Sequence, residues 1–292
     1  MDEELKIEEV KRSDRKEVES LSEGIWDGWD YIPEVFDEWI EDGGFLCGKK
    51  NGNMITLGKH TRQSEDVLWL EGLRVHPEYQ EQGYGRKMIE GQLYHIKENL
   101  DYEVLRFLTT GDKSPVRKVA EELGFKVKKE YPYLRLDEEY LEKIEAPSTE
   151  EVGRVGREKD PEEVYDLILS SPEIEEYEKL YIEGWTAYEI NPDLIRERVG
   201  RGNCFSIREN GDLKAVMFTH IRDIYERMSV SFISGSKEEI EELLKFGIKK
   251  TMESGLKAFT IKTGSKKVVE AAKEVGLHVS DHGSSVVYEK RA

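Results

Sequence analysis

The strongest constraint on this chain is that it is written twice. "EGIWDGWDYIPEVFDEWIEDGG" (23–44) returns as "EGWTAYEINPDLIRERVGRGN" (183–203), with Pro33 matched by Pro192, 159 positions later. An Asn-Gly pair between two strand-like runs, Asn51-Gly52, recurs as Asn210-Gly211 at the same offset. That pair is the strongest short hairpin signal. Further on, "RFLTTG" (106–111) returns as "TIKTG" (260–264) and "VAEELGFKV" (119–127) as "AAKEVGLHV" (271–279), now at offsets of 153 and 152. Four landmarks in order, with the offset falling by six and then by one, describe a duplicated unit whose second copy has lost about six residues between the hairpin and the next strand.

Each copy reads as α/β (α+β). The first runs from a strand (5–11) through helices at 14–23 and 33–41 to a hairpin (45–50 and 54–62). It continues with a strand (67–75), a helix (83–100), a strand (104–110), a helix (114–123) and a closing strand pair near 126–136. Met88, Ile89, Leu93, Ile96 and Leu100 form one stripe, as on a helix packed against a sheet. The expected architecture is two tandem domains, 1–140 and 151–292, joined by a short charged linker at 141–150. Each is expected to have a mixed, mostly antiparallel central sheet flanked by helices.

Composition narrows the function. The chain has 292 residues, 62 Asp+Glu against 44 Lys+Arg, and a formal charge of −18, which disfavours a nucleic-acid partner. No apolar run approaches the ~20 residues of a membrane span, and the charged start "MDEELKIEEVKR" is unlike a signal peptide. Two cysteines far apart, Cys47 and Cys204, make neither a disulfide framework nor a metal spacing and suit a reducing cytoplasm. His60, His76, His95 and His220 show no ligand spacing either, so no metal is expected.

The segment absent from the second copy is the informative one. "YQEQGYGRK" (79–87) lies between the strand "VLWLEGLRV" (67–75) and the helix that begins near Gly83. A loop feeding a helix N-terminus leaves backbone N–H groups unpaired and, with the helix dipole, makes an anion site. Gly83 and Gly85 remove Cβ atoms that would hold a phosphate away, and Arg86 and Lys87 add positive charge. The loop fits neither G-x-x-x-x-G-K-[ST] nor G-x-G-x-x-G.

"LEGLRVHPEYQEQGYGRKMI", followed some forty residues later by "AEELGF", resembles the GCN5-related N-acetyltransferase (GNAT) superfamily. There [QR]-x-x-G-x-[GA] binds the pyrophosphate of acetyl-CoA, and the preceding strand splays from its neighbour. The resemblance implies that the amides of Gln80, Glu81, Gln82, Gly83, Tyr84, Gly85 and Arg86 hold the pyrophosphate. It also implies that the backbone of Leu73 and Val75 pairs with the pantetheine, with the Leu73 amide as oxyanion donor. Glu71 is the implied general base. By period two it is expected on the face of Trp69, Leu73 and Val75, as a lone half-desolvated carboxylate with a raised pKa.

This sequence departs from the family at the general acid. The family's Tyr, three residues before the Leu of "LGF", is Ala120 here, and "GDKSPVRK" replaces the usual Asn. Tyr133, and behind it Tyr131, are the substitutes considered. Trp29 and Tyr31 are expected to wall the acceptor pocket, while Trp26 is read as core. The expected function is acetyl transfer from acetyl-CoA to a small amine or amino-acid-like acceptor by a cytoplasmic chain, monomeric or dimeric. A non-catalytic acyl-CoA sensor, or transfer to another acceptor group, is the alternative. The second copy lacks Gln-x-x-Gly-x-Gly and is expected to be degenerate.

Overall fold

The computed structural model describes residues 5–23, 25, 30–111 and 115–292, apart from the side chains of Asp223 and His282. The chain forms two compact units. The first comprises 1–107, 115–126 and 288–292; the second comprises 108–114 and 127–287.

The first unit contains β1 (Lys6–Glu9), α1 (Arg15–Glu23), α2 (Ile32–Asp42), β2 (Phe45–Lys50), β3 (Asn53–Arg62), β4 (Val67–Val75), α3 (Tyr84–Asn99), most of β5 (Val104–Thr110) and α4 (Pro115–Glu122). Its strands lie in the order β1-β2-β3-β4-β5. The first three pairings are antiparallel and β4 to β5 is parallel. On one face Val18, Leu21, Ile32, Phe36 and Trp39 of α1 and α2 pack on Phe45, Cys47 and Leu57. On the other, α3 brings Met88 against Thr56, 3.2 Å between Sδ and Oγ1. Successive strand residues face opposite ways, so Leu57 and Gly58 divide these two layers.

The chain's last residues complete this unit. The Tyr288 ring stacks on Phe107 with 5.2 Å between centroids, and its hydroxyl contacts Arg117 Nε and Glu121 Oε1, both at 3.1 Å. Arg106 Nε donates to Glu289 Oε2 at 2.8 Å and Lys290 Nζ to the Leu123 carbonyl at 2.8 Å.

The second unit holds β6 (Lys126–Asp137), α5 (Glu138–Leu141), β7 (Val155–Arg157), α6 (Pro161–Ser170), α7 (Glu173–Glu176), β8 (Leu180–Glu183), β9 (Thr186–Glu189) and α8 (Pro192–Gly200). It continues through β10 (Cys204–Glu209), β11 (Asp212–Arg222), β12 (Arg227–Ser234), α9 (Lys237–Glu253), β13 (Ala258–Lys262), α10 (Lys266–Glu274) and most of β14 (His278–Arg291). Its main sheet runs β14-β6-β13-β12-β11-β10-β7, with β8 and β9 as a separate hairpin. Leu243, Leu244 and Ile248 of α9 and Val268, Ala271 and Ala272 of α10 pack on Met228, Val230, Phe259 and Ile261.

The repeat landmarks occupy equivalent positions. Both Asn-Gly pairs have positive φ at both residues (52° and 80°; 53° and 92°), the type I′ hairpin turn. Gly124 and Gly276, at φ 86° and 99°, each follow the last helix of their copy. The expected strand pair at 126–136 is instead one twelve-residue strand, β6. Tyr131-Pro132-Tyr133 does not turn, and residues 133 to 137 pair antiparallel with β13 from Lys262↔Tyr133 to Ala258↔Asp137. Of the linker at 141–150 only Leu141 is helical, as the last residue of the four-residue α5. The compact units thus divide the chain differently from the two copies written in the sequence: β6 belongs, but for Lys126, to the second unit, and Tyr288–Ala292 to the first.

Candidate active site

The site begins where β4 leaves its neighbour. Parallel pairing with β5 runs from Val67↔Val104 to Trp69↔Arg106, yet β4 continues six residues further to Val75. Its pairing with β3 also shifts register there, from Lys59↔Glu71 to Leu57↔Arg74. Two residues of β4, Gly72 and Leu73, stand opposite Gly58 alone, which is a β-bulge. Gly72 makes it feasible. Its φ is +66°, and a Cβ would lie 2.6 Å from Trp39 Cη2.

The bulge changes the face of Glu71. Leu57 and Lys59 are two apart on β3 and share a face, so their partners Arg74 and Glu71 share it too. Val75 pairs with Thr56 and lies on the other. The expected grouping of Glu71 with Leu73 and Val75 therefore fails, because strict alternation does not survive the extra residue. Glu71 is not a lone carboxylate either. Its Oε1 accepts from Thr61 Oγ1 at 2.6 Å and it faces Lys59 across the strands. Lys59 is 1% exposed, donates to the His60 carbonyl at 3.0 Å, and has its pKa lowered by burial, against which the Glu71 charge acts.

Sequence reasoning missed the group that covers this face. Arg74 Nε and Nη2 donate to Asp30 Oδ2 and Oδ1, both at 2.9 Å, with both side chains buried. Tyr31 follows, with the Arg74 guanidinium 5.4 Å from its ring centroid and Trp39 edge-on at 6.0 Å. Tyr31 thus stands on the Glu71 face, beside the bulge. Trp26 and Trp29 lie outside the described residues. The one signal for this pairing was an Arg placed in an apolar strand and an Asp in an aromatic segment.

The loop is exposed from Gln80 to Gly83. Gln80 Nε2 donates to the Val75 carbonyl at 3.1 Å and Gln82 Nε2 to the Glu78 carbonyl at 2.7 Å, folding the loop against the strand end. The Leu73 carbonyl accepts from Arg74 Nη1 at 3.0 Å. Each of these carbonyls keeps a further lone pair. Glu81 and Gly83 adopt positive φ, 59° and 84°. Gly83 is the N-cap of α3 and brings no side chain to cap it, so the first amides of the helix meet no capping oxygen from that residue.

Gly83 has open space where a Cβ would be, and its need for glycine is conformational. A Cβ at Gly85 would sit 3.4 Å from Val75 Cγ2, so this glycine lets the helix lie close to β4. The Tyr84 side chain turns inward to pack with Leu5 and Ile55, and its hydroxyl accepts from Lys50 Nζ at 2.5 Å. Arg86 is engaged by Glu90 at 2.9 Å and by Glu122, which raise its pKa.

At the corresponding position of the second unit, β12 leads into α9 with a different ending. Ser236 caps the helix, accepting from Glu239 N at 3.3 Å, while Glu239 Oε2 accepts from Ser236 N at 2.8 Å. This capping box fills the place with the protein's own oxygens, one of them charged. Tyr133 lies in this second unit, on β6, and so is not gathered with Glu71 in one unit; Arg227 Nη1 reaches its hydroxyl at 3.4 Å. There β6 pairs with β13 of the same unit. Tyr131 is fully buried and donates to the Tyr177 carbonyl at 2.8 Å, a core contact. Ala120, at the family's acid position, is buried. Among the described residues no His, Cys, Asp and Glu group is arranged to hold a metal, and no helix is long and apolar enough to cross a membrane. Both cysteines are free and buried.

With this geometry the comparisons agree. Residues 14–125 match the model of the acetyltransferase (GNAT) family. The chain is similar in structure to a GCN5-related N-acetyltransferase from Sphaerobacter thermophilus (TM-score 0.69, 10% identity, covering 98% of this chain and 95% of that one). It is also similar to a tandem GNAT protein from the clavulanic acid biosynthesis pathway (TM-score 0.63, 11% identity, 99% and 98%). A third similarity is to a GCN5-related glucosamine N-acetyltransferase region of a fungal multi-domain β-N-acetylglucosaminidase (TM-score 0.67, 12% identity, 98% of this chain and 38% of that one). No curated protein matches the chain. The loop and the bulged strand both lie inside the family match: residues 14–125 form a domain of the acetyltransferase (GNAT) family, and the whole chain has the fold of a tandem GNAT protein.

Proposed function

We propose that the chain is an acetyl-CoA-dependent N-acetyltransferase acting on a small amine or amino-acid-like acceptor by direct transfer, with its reaction in the first unit. The observation that carries this is the uncapped N-terminus of α3 in the loop that follows β4, a strand whose pairing with β5 ends at Trp69. The amides from Gln80 to Arg86 take the pyrophosphate, and the β4 backbone at Leu73 and Val75 takes the pantetheine. The acceptor amine attacks the thioester carbonyl carbon. Glu71 removes the amine proton, the Leu73 amide donates to the oxyanion, and the C–S bond breaks to release the CoA thiolate, which water protonates.

Glu71 and Tyr31 share the face that Asp30 and Arg74 hold in place, which supports an acceptor bound on that side of the bulge. The non-catalytic sensor is favoured by one feature, the alanine at position 120. Release of free thiol from acetyl-CoA, measured against a panel of small amines and free amino acids, tests the proposal. Acceptor-dependent release supports transfer. CoA binding without release for any amine supports the sensor.

A further inference from the structure

A second polar site lies in the other unit, among residues to which the reaction proposed above assigns no role. A small cavity, partly open to solvent, is lined by Arg227 and Ser229 of β12, His220 of β11, Thr260 and Lys262 of β13 and Tyr133 of β6. The hairpin turn between β8 and β9 borders it. Lys262 Nζ donates to the Gly184 carbonyl at 2.5 Å and lies 4.4 Å from the Trp185 ring.

The charges here are of one sign. No carboxylate among the described side chains lines the cavity, in a chain with a net charge of −18. Burial, then Arg227 and Arg222, push Lys262 down to about 7. Burial and the cations Arg222, Lys262, Arg227 and Arg198 hold His220 well below the usual histidine range. Glu183, on the bordering hairpin, is already held by Arg198 at 2.7 Å and Arg201 at 3.4 Å. Two buried nitrogens, Arg227 Nε and His220 Nε2, have no hydrogen-bond partner among the described residues. The Arg227 Nε–H is a donor, and a buried donor and like charges left this way cost stability, which a small anion corrects.

Ser229 and Thr260 bond to each other at 2.7 Å, and His220 Nδ1 is tied to Ser231 Oγ at 2.8 Å. The ring is thereby fixed while Nε2 is left for a ligand. We propose that the second unit binds a small anion, a carboxylate or a phosphate group, between Arg227, Lys262 and His220, with the Tyr133 hydroxyl as a further donor. Its retained copy of the fold then serves as a ligand-binding unit in its own right.

The test is a thermal-melt series on the full chain without acetyl-CoA, in acetate, in inorganic phosphate and in chloride at equal ionic strength. A ligand that binds only the folded state raises Tm as its concentration passes the Kd. The expected result is a saturable rise in acetate or phosphate above the chloride control, the stronger arm naming the group. In Arg227→Gln the rise is lost or needs at least tenfold more anion. Lys262→Met serves as the second variant. It melts at or above the wild type in chloride, since a buried like charge is gone, and shows no rise with anion. An equal response to all three salts, or the same rise in Lys262→Met as in the wild type, overturns the proposal.

Discussion

Arg74 grips Asp30 through two hydrogen bonds of 2.9 Å, across 44 residues of sequence. The pair fastens the start of α2 over the bulge in β4. It sets Tyr31 beside the face that carries Glu71, so it joins the fold of the first unit to its chemistry. Removing one partner strands the other charge in a buried place. Asp30→Ala is expected to cost about 3–5 kcal/mol by chemical denaturation, and the double variant Asp30→Leu/Arg74→Met less than Asp30→Ala alone. A single variant within about 0.5 kcal/mol of wild type, the range of an ordinary surface change, would contradict this role.

Gly72 is the second structural determinant of the site. Gly72→Ala forces a Cβ against Trp39 and an L residue into φ +66°. The left-handed conformation alone costs about 1–2 kcal/mol. Stability is expected to fall by at least that much, and turnover with it, because Glu71 keeps its orientation only while the bulge persists. Unchanged turnover in the folded variant would separate Glu71 from the bulge.

Much of this could be read in the amino-acid order, for identifiable reasons. The Asn-Gly turns and the glycines after the last helices are local signals and lie where expected; the apolar stripe of α3 holds at Met88, Ile89 and Ile96, while Leu93 is half-buried and Leu100 lies beyond the helix end. The exchange of β6 and Tyr288–Ala292 between units was not legible, because a strand's pattern marks its two faces and not the edge it pairs with. The face of Glu71 was misread because nothing in "LWLEGLRV" announces that Gly72 takes a positive φ. Asp30 and Arg74 escaped notice because their partnership exists only once α2 is folded onto the sheet. The chemistry of Tyr133 and its place in the sequence are both silent about which strand β6 pairs with.

If Glu71 is the base, Glu71→Gln should preserve acetyl-CoA affinity and lower turnover by about 10²–10⁴-fold, the range for one acid–base group. The acid-side limb of the pH–rate profile should disappear with it. Near-normal turnover would assign proton removal to water or another group.

His60 gives the first unit a sensitivity to acid. It is buried, its Nδ1 has no partner among the described residues, and burial with the neighbouring His95 lowers its pKa to about 4. The unfolded chain, with an ordinary histidine near 6.5, binds the proton first. Its contribution to stability is therefore complete above pH 6.5 and is lost as pH falls from there through about 4, up to about 3 kcal/mol in all. Denaturation of wild type and His60→Gln at pH 7.5 and pH 5 checks this. The wild type should lose more stability between the two, and equal losses would contradict it.

The central claim is that one loop of this chain holds acetyl-CoA and that its counterpart does not. Gly83 leaves the first amides of α3 without a capping side chain, while Ser236 and Glu239 close α9 upon itself. Calorimetric titration of the full chain with acetyl-CoA measures the stoichiometry directly. The account predicts one site per chain, lost in a folded Gly83→Val/Gly85→Val variant. Two equivalent sites per chain, or one site that survives the double substitution, would contradict it.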